Sequence, residues 1–102
     1  VQEFDIPPGT DIVINATSIG SFDEDARVPV AIDTLEGAKL AADVVLHPTR
    51  TRFLDEAKSH GCEVLDGLAI SVNQGALAFQ LWTGVDPDLS VMQDALEEFF
   101  GV

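Results

Sequence analysis

The apolar residues of this chain fall into short runs separated by turn formers. Ile6-Pro7-Pro8-Gly9-Thr10 closes a first segment in which two prolines and a glycine exclude a helix interior. Residues 1 to 10 are therefore predicted to be turn or linker. Asp11-Ile12-Val13-Ile14-Asn15 is a continuous β-branched run between turn residues, which predicts a buried strand. Residues 15 to 29 are polar and acidic and include Gly20 and Pro29, so a loop is expected, longer than most connections. A second strand is predicted over residues 40 to 46, stopped by His47-Pro48. Thr51 then caps a predicted helix over 52 to 60, with Phe53, Leu54 and Ala57 inward and Gly61 ending it. Cys62-Glu63-Val64-Leu65 predicts a third strand, closed by Asp66-Gly67. Residues 70 to 83 are apolar nearly all round, the pattern of a helix buried between layers. Gly84-Val85-Asp86-Pro87 breaks the chain, and Asp88 caps a last helix over 89 to 100. Its apolar side is predicted to hold Val91, Met92, Ala95, Leu96 and Phe99.

Strand, crossover, strand, helix, strand, helix is the order of an α/β protein with a mainly parallel sheet. Three strands leave two open edges, which normally require neighbours. That need, and a start at Val1 with neither Met nor a basic leader, suggest a piece of something longer. Length alone would allow one domain, since there are 102 residues. Charge narrows the partners. Lys and Arg total 5 and Asp and Glu total 18, a net charge of −13. Such a balance disfavours nucleic acid and anionic membrane as partners. It does not predict disorder, because 46% of residues are hydrophobic. The single cysteine, Cys62, excludes an intrachain disulfide framework and a multi-cysteine zinc site, and makes a reducing, cytoplasmic setting the default.

In open parallel sheets, ligands bind at the carboxyl ends of the strands. Three polar clusters fall there: Asn15-Ala16-Thr17-Ser18, Leu46-His47-Pro48-Thr49 and Asp66-Gly67. The same residue types also simply form turns. Gln74 is less ordinary, being an amide beside Asn73 within an apolar helix. A buried amide needs a hydrogen-bond partner, so Gln74 either satisfies a backbone group or faces a cavity and binds a ligand. Gly75 beside it weakens the helix and suggests close packing. His47, His60 and Cys62 have no partners at metal-ligand spacing, and no metal site is expected. There is no nucleophilic triad, P-loop or Gly-x-Gly-x-x-Gly.

Together these clusters resemble a known family. Asn15-Ala16-Thr17-Ser18-Ile19-Gly20 is similar to a loop motif of the shikimate dehydrogenases, as is Asp43-Val44-Val45-Leu46-His47-Pro48 followed by Thr51. The most specific likeness is Asp66-Gly67-Leu68 with Asn73-Gln74-Gly75-Ala76, continuing through Phe79, Leu81-Trp82-Thr83-Gly84-Val85 and Pro87. The resemblance implies a three-layer Rossmann-like parallel sheet. Residues 1 to 68 would form the second half of an NADP-binding domain, and residues 69 to 102 would be C-terminal helices returning onto the domain pair. It implies reversible, NADP-dependent reduction of 3-dehydroshikimate to shikimate, or of a related cyclic hydroxy acid such as quinate, with NAD as the alternative cofactor.

Residue by residue, the resemblance implies that Gln74 hydrogen-bonds a substrate hydroxyl. It places the Gly67 backbone and Val44 beside the nicotinamide, and Asn15, Thr17 and Ser18 in the loop lining the cofactor cleft. The family's catalytic Lys and Asp have no counterpart here, and neither Lys39 nor Lys58 matches that lysine. The chain alone is expected to be inactive, its partners being the small-molecule substrate and the rest of the same polypeptide. Three departures stand out. Leu46 occupies the place of a substrate-binding tyrosine, and the chain has no Tyr at all. Ala69-Ile70 replaces Gly-Met, and Ser21-Phe22 replaces a Met-x-Pro continuation. They fit a divergent paralogue. The competing expectations are a non-catalytic binding or regulatory module that keeps the fold, and an interaction domain using the acidic Asp23-Glu24-Asp25 loop.

Overall fold

The computed structural model describes residues 3–21, 23, 25–46 and 51–100. The predicted stop at His47-Pro48, and Glu24 of the acidic loop, lie outside them. Three strands, β1 (Ile12–Asn15), β2 (Leu40–Asp43) and β3 (Glu63–Leu65), form one sheet in the order β1-β2-β3. Both pairings are parallel, with Val13 opposite Ala41 and Ala41 opposite Val64. The connections are long enough for the crossovers that parallel strands require. The first passes through the predicted irregular segment and then a short 3-10 helix, Ile32–Leu35, that the hydrophobic pattern does not foretell. The second carries α1 (Arg52–Ser59). Residues 3 to 10 are irregular as predicted, except that Phe4 bridges Val30 in parallel.

Helix α1 forms for the reasons its sequence states. The Thr51 side chain accepts from the Leu54 amide, and Phe53, Leu54 and Ala57 are buried. Gly61, at φ +89°, turns the chain out of the helix, which a Cβ would resist. Phe53, Leu54 and Ala57 join Ile6, Val30, Leu35, Ala38, Ala41 and Cys62 in one core on the sheet face that carries Val13 and Ala41. The opposite face carries Ile12, Ile14 and Ala42. Ala42 is buried, but Ile12 is 56% and Ile14 58% exposed. The prediction that β1 is buried therefore holds on one face only.

Strand β2 ends at Asp43 rather than at residue 46. The Asp43 carboxylate takes the Val45 amide at 2.9 Å, which turns the chain out of the ladder. Helix α2 (Gly67–Thr83) begins three residues earlier than predicted, because the Asp66 side chain caps it by accepting from Ala69 N. Its buried residues are Gly67, Leu68, Val72 and Ala76, the last three spaced four apart along one stripe. The large apolar residues further along are open: Leu77, Phe79 and Leu81 are exposed, and Trp82 is 84% exposed. Gln74 is exposed too, so the expectation of a buried amide in a buried helix is corrected. The reason is that α2 runs on past the sheet and packs on α3 (Leu89–Phe100), with Met92 facing Gly75. Asp88 caps α3 as predicted, accepting from Ser90 N and Val91 N. No residue of α3 is buried, and Val91 and Phe99 on its predicted apolar side are exposed.

Candidate functional site

The carboxyl ends of β1 and β2 are joined by a polar cluster. Asn15 and Asp43 are opposite in register and point to the same face. Asn15 Nδ2 donates to Asp43 Oδ2 at 3.2 Å, and Thr51 Oγ1 donates to the same oxygen at 2.8 Å. Asp43 Oδ1 receives the Val45 amide. All three side chains are buried, Asp43 completely, at 0% exposure. A buried carboxylate is tolerated when donors satisfy its oxygens, and these three do so. Thr51 thus has two tasks, capping α1 and tying the helix to the end of β2.

Asn15 also organises the loop that follows it. Its Oδ1 accepts from Thr17 N at 3.2 Å and from Thr17 Oγ1 at 2.6 Å, while Nδ2 also donates to Ile19 O at 3.2 Å. Thr17 and Ser18 are exposed on this loop. Next to it, Val44 N donates to Asn15 O at 3.1 Å, and Val44 is 44% exposed. Asn15, Thr17, Ser18 and Val44 are therefore neighbours on one rim, as the sequence suggests.

Gly67 completes the rim from α2. A Cβ there would fall inside van der Waals distance of the Val45 carbonyl oxygen, 2.6 Å from the carbonyl carbon and 3.1 Å from Leu46 Cα. The glycine is required because the backbone after β2 lies directly on the first turn of α2. Leu46 is half-buried beside it. Gln74 is seven residues on, which is nearly two turns, so it shares the Gly67 side of the helix about 10 Å along the axis. It stands apart from the Asn15–Asp43–Thr51 cluster. Asn73 bonds back to Ala69 O instead.

An apolar cavity of about 190 Å³ adjoins the same loop, lined by Asn15, Ala16 and Thr17 with Phe4, Val13 and Val30 among others. A second hollow, about 340 Å³, lies along α2 by Gln80 and Asp86, away from the strand ends. Neither is lined by Gly67, Val44 or Gln74. Among the described residues no three His, Cys, Asp or Glu side chains are grouped to hold a metal, and none of the helices is long and apolar enough to cross a membrane. Sequence reasoning missed Asp43 as the hub. The available signal was a single carboxylate inside the apolar run from Leu40 to Leu46.

Residues 67–97 match the family model described as the shikimate 5'-dehydrogenase C-terminal domain. The NADP(+)-dependent shikimate dehydrogenase of Archaeoglobus fulgidus is 44% identical over 85 residues, covering 83% of this chain and 32% of that enzyme. Among solved structures, ligand-free 5-ketofructose reductase of Gluconobacter sp. strain CHM43 superposes with a TM-score of 0.90. It is 46% identical over 98% of this chain and 36% of its own. Shikimate 5-dehydrogenase from Thermus thermophilus, in complex with NADP(H) and shikimate, gives 0.74 at 42% identity, over 85% of this chain and 33% of that one. The chain thus spans about a third of the length of the relatives it matches. Parallel β1-β2-β3 order, the strand-end loops and the α2 motif are consistent with these matches, and the chain is similar to the C-terminal part of the shikimate dehydrogenases.

Proposed function

We propose that this chain is the nicotinamide-facing part of an NADP-dependent oxidoreductase that interconverts a ketone and a secondary alcohol on a polyhydroxylated substrate, 3-dehydroshikimate and shikimate in the first instance. One observation carries it. Two strand-end loops are locked together by Asn15, Asp43 and Thr51 at the carboxyl edge of a parallel sheet, with the start of α2 pressed beside them. That edge is where α/β sheets bind dinucleotides. Residues 1 to 68 belong to the cofactor domain and residues 69 to 102 to the returning helices. The remaining two thirds of the polypeptide supply the catalytic lysine and aspartate, and the lone free thiol suits the reducing cytoplasm.

When bound, the nicotinamide supplies or accepts the hydride. The residues of this chain orient and exclude. Val44, Gly67, Asn15, Thr17 and Ser18 wall the cofactor. Gln74 is exposed on the Gly67 side of α2, free to hydrogen-bond a substrate hydroxyl. In the full-length polypeptide, Gln74→Ala should raise KM for shikimate about tenfold, the worth of one well-formed bond, and leave the nucleotide Kd within twofold. Unchanged kinetics would remove Gln74 from the site, and binding of neither NADPH nor shikimate would favour a non-catalytic module.

A second substrate follows from Leu46 together with the 0.90 superposition on a 5-ketofructose reductase. An aliphatic side chain donates no hydrogen bond, so a substrate that needs no donor at this position, such as a keto sugar, would suit the site. Turnover of 5-ketofructose with NADPH, and a gain in shikimate kcat/KM in Leu46→Tyr, would establish it. Preference for shikimate in the unaltered enzyme would exclude it.

A further inference from the structure

One buried carboxylate joins separate parts of the rim. Asp43 Oδ2 accepts from Asn15 Nδ2 at 3.2 Å and from Thr51 Oγ1 at 2.8 Å, and Oδ1 accepts from Val45 N at 2.9 Å. The Asn15 amide cannot be turned over. Ile19 O only accepts and so faces Nδ2, while Thr17 N only donates and so faces Oδ1. Through Asn15, Asp43 therefore fixes the loop of residues 15 to 19. Through Val45 it fixes residues 44 to 46, and the Val45 carbonyl rests on the first turn of α2 at Gly67. Gly20 closes the loop over the cluster, where a Cβ would lie 3.4 Å from Thr51 Cγ2 and 3.8 Å from Val45 Cγ2. An amide at position 43 could not replace the carboxylate. Asn15 Nδ2 and Val45 N are donors on opposite oxygens, and an amide has only one oxygen. Whichever way it turned, its N–H₂ would meet one of those two N–H groups, and either the loop or the Leu46 segment would be released.

We infer that Asp43 is a positioning residue of the reaction, holding the loop of residues 15 to 19 and the segment of residues 44 to 46 at one fixed separation, so that cofactor and substrate meet in register for hydride transfer. The inference rests on the proposed function, which puts the loop beside the cofactor and Leu46 beside the substrate. Asp43 itself is 0% exposed and touches neither ligand. Each wall can hold its own ligand without the link, but transfer needs both walls at once. A misplacement of about 1 Å can cost about a hundredfold in rate.

The test compares four forms of the full-length polypeptide: unaltered, Asp43→Asn, Asn15→Asp, and both substitutions together. Asn15→Asp sets an oxygen against Asp43 Oδ2 and cuts the same link from the other side. The pair exchanges donor and acceptor and leaves the net charge as it was. The link re-forms, Thr17 N and Val45 N keep their acceptors, the Thr51 hydroxyl turns to accept, and only the bond to Ile19 O is given up. Steady-state kinetics are measured with NADP and shikimate and with NADPH and 5-ketofructose, on protein whose folded fraction is fixed by circular dichroism. Each single substitution should lower kcat about tenfold while KM for each ligand changes less than about threefold, and the pair should recover to within about threefold of the unaltered kcat. A merely structural role would lower the unfolding midpoint and leave kcat of the folded protein unchanged, and that result overturns the inference. So does a pair no faster than the single variants. If Asp43→Asn does not fold, Asn15→Asp against the pair reads the same link. No turnover by the unaltered polypeptide overturns the proposed activity and the positioning role with it, whereas the other adverse results overturn the positioning role alone.

Discussion

Replacing Gly67 by alanine adds one methyl group at the first position of α2. Carbon atoms pack best about 3.5–4.0 Å apart. The new Cβ would stand 2.6 Å from the Val45 carbonyl carbon and 3.1 Å from Leu46 Cα. Backbone has to yield by about 1 Å, either in the strand-end segment or in the first turn of the helix. Overpacking a tight site costs about 1–3 kcal/mol, and a neighbour that is backbone places this case at the upper end. Better helix propensity returns at most about 1 kcal/mol. Net destabilisation should be about 2 kcal/mol. Gly75→Ala is the matched control in the same helix. Its Cβ would lie 3.3 Å from Met92 Cε, the end of a flexible side chain that can step aside. There the propensity gain should prevail, stabilising by up to about 1 kcal/mol. Urea unfolding followed by far-UV circular dichroism measures both, because Trp82 is too exposed to report folding by fluorescence. A midpoint for Gly67→Ala equal to that of the unaltered chain would refute the reasoning, as would Gly75→Ala being the more damaging.

Asp43→Ala removes the acceptor for Asn15 Nδ2, Thr51 Oγ1 and Val45 N together. It should cost about 3 kcal/mol or more in the same assay, and a loss below about 1 kcal/mol would show that the donors find other partners. Burial pushes the Cys62 thiol above its ordinary value of 9.0. The unfolded chain therefore loses this proton first, so the thiol's contribution is intact below pH 9.0 and is lost as pH rises through the folded value. The decline should not exceed about 1.4 kcal/mol per pH unit and should vanish in Cys62→Ala, with unfolding free energies either side of the thiol pKa as the check.

Much of this architecture is local, and local features are legible. Thr51, Asp66 and Asp88 cap helices where a short polar side chain precedes an apolar pattern, and Gly61 turns the chain as a helix-ending glycine should. Boundaries failed where a side chain reached across the sheet. Nothing in the run from Leu40 to Leu46 shows that Asp43 captures the Val45 amide and ends the strand. Burial failed for a different reason. An apolar helix pattern says that α2 prefers to be covered, not what covers it. Among the described residues Leu77, Leu81 and Trp82 have no such cover. The site was half legible. Motif register located Asn15, Thr17, Ser18, Val44 and Gly67 on one rim, whereas Gln74, read as buried, is exposed. Composition cannot separate a buried amide from one on an open helix face.

The strands lie across the sheet in the order in which they occur along the chain. No strand has to be inserted between two already paired, and each crossover returns the chain to the growing edge. During synthesis β2 finds β1 already waiting, and β3 finds β2, so this half of a sheet is able to assemble as it leaves the ribosome.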